Sequence, residues 1–286
     1  MATSSWTTAV AHANDADFRT WGKEISDKLQ AMSGLTYVNE TGRVVWATVT
    51  RPGVNTEGGF EVYYLNDSLH GTAPIYIRIS YGTASSAAYP GVSITVGTST
   101  NGSGVLGGTA LTTIKRWNRN GVGTAGNHTS YLCVKEGFFG LAWKVSAACL
   151  GSFVICRSCA GDGTPDGKAA ILLNTATSNI VITQALRFES AAAVYTADTA
   201  GNVSIIVGNV TSSAVGANYQ VYLCWMAVPD VRPIFGVASV LTAEYGTGTT
   251  ISVALVGASA HTYVSIGGAL GTSISGANAG FAMLYE

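Results

Sequence analysis

Cys156-Arg-Ser-Cys159 is the one cysteine pair in this chain at a spacing suited to metal binding or thiol–disulfide cycling. A structural zinc site needs a second such pair, or two nearby histidines. There is no second pair, and His12, His70, His128 and His261 are scattered. A thioredoxin-like motif needs a strand-to-helix turn, whereas this one falls between the apolar run Phe153-Val-Ile155 and the turn Gly161-Asp-Gly163. Reduced cysteines on half-buried strands are the expectation. Asp162 and Asp166 flank Gly163-Thr-Pro165 and offer oxygens for a calcium loop. Asp-Gly and Pro-Asp-Gly are also ordinary turn chemistry, and the turn is favoured. Asp67 and Asp198 stand in similar contexts. The chain has no nucleophile elbow with suitable partners, no Walker loop and no His-Glu-x-x-His. A glycosidase needs two carboxylates brought together, and no spacing selects such a pair. No catalytic, cofactor-binding or metal residue is therefore assigned, and a protein that is not an enzyme is expected.

Aromatic and basic residues offer binding chemistry instead. Tyr63 and Tyr64 are adjacent, so in a regular strand one of them points outward. Tyr81, Tyr89 and Trp117 lie near expected loops and, with an outward tyrosine, suit either sugar stacking or contacts between subunits. Lys115, Arg116 and Arg119 around Trp117 form the densest basic stretch. With a net charge of -1, the chain lacks the basic patch of a nucleic-acid binder.

The elements that must position these groups follow from the period of the apolar residues. Phe18, Trp21, Ile25, Leu29 and Met32 recur at spacings of three and four, the mark of an amphipathic helix. Asn14 or Asp15 caps its start, Asp17 places a carboxylate in the first turn, and Gly34 is expected at the C-terminal cap. Arg19, Lys23, Glu24, Asp27 and Lys28 occupy the remaining surface. That stripe has to dock, either on the chain's own body or, as an assembly face, on a neighbouring subunit.

From Leu35 the period becomes two. Strands are expected at 43–50, 59–65, 75–81, 92–96, 131–134, 138–145, 152–156 and 170–173. Further strands are expected at 193–196, 203–207, 219–227, 236–241, 251–256, 262–266 and 281–285, with a hairpin tip over 97–108. Short strands at such intervals, broken by Gly-rich turns, predict an all-β antiparallel sandwich or jelly-roll-like body carrying one short N-terminal helix. The expected division is an N-terminal segment and attachment helix over 1–34, followed by a β body over 35–286. Two packed lobes would divide near 145–165.

Only 11% of residues are charged, against about 25% in an ordinary domain. Yet 47% are hydrophobic, and no disordered composition accounts for the deficit. Strands faced with Thr, Ser, Gly and Ala suit a part that buries its outside against copies of itself or other proteins. The start, Met1-Ala-Thr-Ser-Ser-Trp6, has no basic and apolar signal pattern, so synthesis in a cytoplasm is expected. The apolar runs are of strand length and fall short of the roughly 20 residues a membrane helix needs.

Three segments carry a resemblance: TTAVAHANDADFRTWG over 7–22, VWATVTRP over 45–52 and TAPIYIRISYG over 72–82. Together they resemble a group of virion structural proteins of tailed bacteriophages, the tail, baseplate and minor structural proteins. The likeness covers mainly residues 7–110, with a looser echo over 157–173. It implies a non-enzymatic homo-oligomeric part of the particle, on the tail tip, baseplate, fibre or neck. The implied partners are copies of itself and other virion proteins, with localisation in the virion and no cofactor, nucleic acid or membrane insertion. A host-surface or polysaccharide-binding module is the alternative, which adds a host glycan to the partners. A capsid decoration protein comes third and a depolymerase fourth.

Overall fold

Alternation of large apolar residues with polar or small ones builds most of this structure. The computed structural model describes residues 3–10, 14–83, 90–108, 126–145, 148–159, 164–175, 181–189, 193–196, 205–207, 222–226, 232–241, 248–254, 260–267 and 279–286. The chain opens with strand β1 (Thr3–Val10) and helix α1 (Asp15–Gln30). A four-stranded sheet follows, made of β2 (Leu35–Val38), β3 (Glu57–Leu65), β4 (Tyr76–Thr83) and β5 (Pro90–Gly97) in that order. The short hairpin β6 (Ser99–Thr100) and β7 (Leu106–Gly107) lies against its outer face.

A seven-stranded sheet comes next: β8 (Gly126–Lys135), β9 (Phe138–Val145), β10 (Ala148–Cys159), β11 (Pro165–Thr175), β12 (Val181–Glu189) and β13 (Ala193–Thr196). These strands pair consecutively, and β1 adds to the free side of β8, with Trp6 opposite Ser130 and Thr8 opposite His128. The last sheet runs β14-β15-β16-β19-β18-β17, from β14 (Ile205–Val207), β15 (Tyr222–Met226), β16 (Arg232–Leu241), β17 (Thr250–Ala254), β18 (Ala260–Gly267) and β19 (Ala279–Leu284). Every pairing is antiparallel. The protein is all-β with a single short N-terminal helix among the described residues.

One face of β4 and β5 carries Ile77, Ile79, Tyr81, Val92, Ile94 and Val96, all buried. That face meets α1 and the residues Leu132, Val134, Phe139, Leu141, Phe153 and Ile155 of the seven-stranded sheet in one core. The helix is therefore sandwiched between two sheets. On the sheet's other side, β10 packs against β16 and β18.

Three sequence expectations are corrected. Residues 43–50 form no strand but an irregular segment with a turn over 46–48, closed by the N–H groups of Thr48 and Val49 on the carbonyl of Val45. Their apolar side chains cover the helix instead of entering a ladder: Trp46 and Val49 pack on the core while Val45 faces solvent. The helix ends at Gln30 with Ala31 as its cap, and Gly34 keeps an ordinary backbone conformation. What Gly34 supplies is closeness, because a Cβ there would stand 2.7 Å from Val134 Cγ1. Residues 3–10, expected in a separate N-terminal segment, pair with β8 as β1 of the large sheet, and residues 181–189, where no strand is expected, form β12.

Candidate functional site

Helix α1 begins as its residues dictate. The Asn14 side chain accepts from the Asp17 N–H at 3.0 Å, and the acidic residues Asp15 and Asp17 lie at the positive end of the helix dipole. The stripe Phe18, Trp21, Ile25, Leu29 and Met32 is buried throughout, with Leu29 wholly enclosed and Met32 just past the helix end. All five side chains belong to the chain's own core. Each such burial contributes about 1.5–3 kcal/mol. The face considered for docking on a neighbour is thus packed against the chain's own strands.

Two small residues on this helix proved as informative as the large ones. Gly22 is where Trp46 sits down: a Cβ there would meet the indole at 2.0 Å. Trp46 in turn stands edge-on to Tyr81 at 4.8 Å, with Phe18 at 6.2 Å, and Trp21 meets Tyr81 edge-on at 6.1 Å. Such edge contacts add about 0.5–1.5 kcal/mol each beyond burial. Four residues on from Gly22, the Ser26 hydroxyl donates to Glu61 Oε1 at 2.7 Å. The phenols of Tyr63 and Tyr81 donate to Glu61 Oε2 at 3.0 and 2.6 Å. A carboxylate 2% exposed is thus held by three hydroxyls between helix and sheet. Burial, followed by the charge of Glu61, raises both phenols well above their ordinary range, so they remain donors. Gly22 and Ser26 at i and i+4 beside the apolar stripe were the available signal, since small residues in a row let a partner approach closely.

Other charges also face inward. Arg157 on β10 is 2% exposed and grips Asp67 through Nε and through Nη2 at 3.0 Å, while Nη2 also reaches the Ala73 carbonyl at 2.8 Å. This ties the loop after β3 to the seven-stranded sheet. Asp67, expected in a turn, has its buried partner 90 positions away. Glu40 accepts from Thr100 Oγ1 at 2.6 Å and the Gly104 N–H at 2.7 Å, holding the β6–β7 hairpin. Gly104 is required there: its φ is +79°, and a Cβ would strike the Phe60 ring. Arg78 forks onto Glu57 at 3.0 and 2.6 Å over the Phe60 ring, at 4.4 Å. Glu286 binds Lys135 Nζ at 2.8 Å and His261 Nδ1 at 2.7 Å. Partial burial works to raise this carboxyl, but bonds from Lys135, His261 and the Thr262 N–H outweigh it and hold it at about 2.

Among the described residues the sequence-selected histidines and cysteines do not converge. Among the described residues no three of His, Cys, Asp and Glu are placed to hold a metal ion. Cys156 is buried on β10, its thiol against the Arg157 carbonyl at 3.4 Å, so the CxxC lies along a strand rather than at a helix start. Burial pushes the Cys133 thiol up to about 11, which leaves it protonated. Asp162, Asp198, His12, Tyr89 and the Lys115–Arg119 stretch lie outside the described residues, and Asp166 falls on β11.

A cavity of about 20 Å³ is lined by Trp6, Trp21, Trp143, His128 and Ser130, room for about one water. Burial lowers His128 to about 4, so its imidazole is neutral at pH 7. On the outer side of the four-stranded sheet, Tyr64 stacks on His70 at 3.9 Å with Tyr76 at 5.9 Å, all half-buried. Of the adjacent tyrosines, Tyr63 is the internal one and Tyr64 faces outward.

No protein-family model matches the chain, and no curated protein matches it. Among the described residues no helix is long and apolar enough to cross a membrane.

Proposed function

We propose that this chain is a non-enzymatic structural component of a tailed-bacteriophage particle, built into the tail apparatus as a homo-oligomer. The observation that carries the reading is where the three resembling segments meet. Phe18 and Trp21 from 7–22, Trp46 from 45–52 and Tyr81 from 72–82 form one aromatic cluster. The segments are also joined through the backbone. Arg19 Nε donates to the Val49 carbonyl at 2.6 Å, and the Arg51 N–H donates to Asp15 at 2.8 Å. The resemblance therefore concerns one folded unit rather than three unrelated stretches.

The inward use of charge supports the same reading. With few charged residues to begin with, a chain that binds Glu40, Glu61, Asp67 and Arg157 to itself leaves outer faces suited to contact with other protein. The test is location. Gold-labelled antibody on purified particles, with copy number from quantitative mass spectrometry, is expected to mark the tail. Label on the capsid, or absence of the chain from particles, overturns the proposal.

The Tyr64–His70–Tyr76 cluster favours a second reading, in which the particle uses this protein to hold a host-surface glycan. Retention on a glycan array, lost in Tyr64→Ala, is its expected signature.

A further inference from the structure

An unpaired strand edge exposes a row of N–H and C=O groups, and proteins guard such edges with shortness, charge, proline or a covering segment. Most edge strands here are guarded. β2 and β13 have four residues, β14 has three and β17 has five. β5 is longer but opens on Pro90 and runs into the β6–β7 hairpin, where Thr98 bonds Gly107. β1 differs from all of these. Its eight residues, TSSWTTAV, contain no charge and no proline, and its ladder to β8 runs without a bulge. Among the described residues its second edge has no strand partner, and Ser5 and Thr7 are exposed.

We propose that this edge pairs antiparallel with β1 of a second copy across a two-fold axis, joining two seven-stranded sheets into one. The inference rests on the assembly reading above and names its surface. A second copy fits because the strand is uncharged: self-pairing places no like charges opposite each other, and a charged partner strand finds nothing to match. Directly opposed residues in an antiparallel pair share a face. A two-fold axis through the sheet therefore allows a residue to oppose itself or one an even number of positions away. The register centred on Trp6 sets Ser5 against Thr7, which matches hydroxyl with hydroxyl at the two exposed positions, and places Ser4 opposite Thr8, whose hydroxyl is bound to Glu24. It also lengthens a row already begun where Thr7 Oγ1 meets Thr129 Oγ1 at 3.3 Å.

The experiment compares the full chain with the double variant Ser5→Lys, Thr7→Lys, by light scattering over a range of concentrations and by amide hydrogen exchange. Both positions are exposed, so the variant is expected to keep the wild-type circular dichroism. In the proposed register each new lysine faces another. The wild type should show twice the chain mass or an even multiple of it. In the variant this contact should weaken by about tenfold or more, so that the mass at matched concentration falls to half that of the wild type. Alternate amides within residues 3–10 should be protected in the associated wild type and exposed in the variant. Association of the variant at wild-type strength sinks the β1 pairing while leaving the assembly reading standing. A wild type that stays monomeric, in a chain also absent from particles, removes both. Slow exchange along both edges of β1 in a monomer shows the edge covered by its own chain and likewise overturns the pairing.

Discussion

The two faces of the seven-stranded sheet are made from differently sized side chains. Towards the helix, β8, β9 and β10 present Leu132, Val134, Phe139, Leu141, Trp143, Phe153 and Ile155. Towards the last sheet the intervening residues Cys133, Gly140, Ala142, Ser152, Val154 and Cys156 are mostly small and again buried, with Phe138 the large one among them. Large residues fill the space around a cylindrical helix, which leaves gaps against a flat sheet. Small residues let two sheets come close, as where Gly140 lies under Met283. The ties differ too. The helix side holds the enclosed Arg157–Asp67 pair, whereas the other side holds the partly exposed Glu286 group. A period of two in sequence thus separates two interiors with different packing rules.

The largest way to break this comparison is to remove the buried tie. Arg157→Ala leaves Asp67 buried without its counter-charge and is expected to cost about 3–5 kcal/mol in urea unfolding. Removing the exposed Lys23 that pairs with Asp27 on α1 should cost no more than a few tenths of a kcal/mol.

Leu141 and Ala142 test the size rule on neighbouring positions of opposite faces. Leu141→Ala should destabilise by about 2–5 kcal/mol through a cavity on the helix side. Ala142→Leu should cost about 1–3 kcal/mol by forcing the sheets apart. Equal tolerance of both swaps in thermal melting would remove the distinction.

Acid separates the faces by pH window. His128, on the helix side, is lowered from 6.5 to about 4 by burial, so the unfolded chain binds its proton first. Stability from this group is complete above about pH 6.5 and is lost as pH falls towards 4, by about 2 kcal/mol at pH 5. Glu286, on the other side, is held at about 2 against an ordinary 4.5. Its contribution is present above pH 4.5 and is lost as pH falls towards 2. His128→Gln should flatten the stability profile between pH 6.5 and 4 and leave the lower window unchanged.

The smallest effect sharpens the account of the helix. Asn14→Ala should cost about 1 kcal/mol by freeing the Asp17 N–H, read by urea unfolding with an unaltered m-value.

Local pattern determined a good deal on its own. The apolar spacing of 18, 21, 25 and 29 defined a helix and its buried face, and Asn14 defined its start. Alternation located β3, β4, β5, β9 and most later strands within a few residues, because each side chain reports its own face at a fixed period. The same reasoning failed for 43–50, whose alternating Val and Trp obey a packing demand from the helix rather than a ladder. It was silent on Glu61, which reads as a polar residue in a strand until Ser26, Tyr63 and Tyr81 surround it. It could not join Asp67 to Arg157, 90 positions apart, or β1 to β8. Helix and strand periods are set by covalent geometry and so are written in nearest neighbours. Which stripe meets which sheet, and which charge finds its partner out of water, depends on contacts between distant segments, and these only the tertiary structure decided.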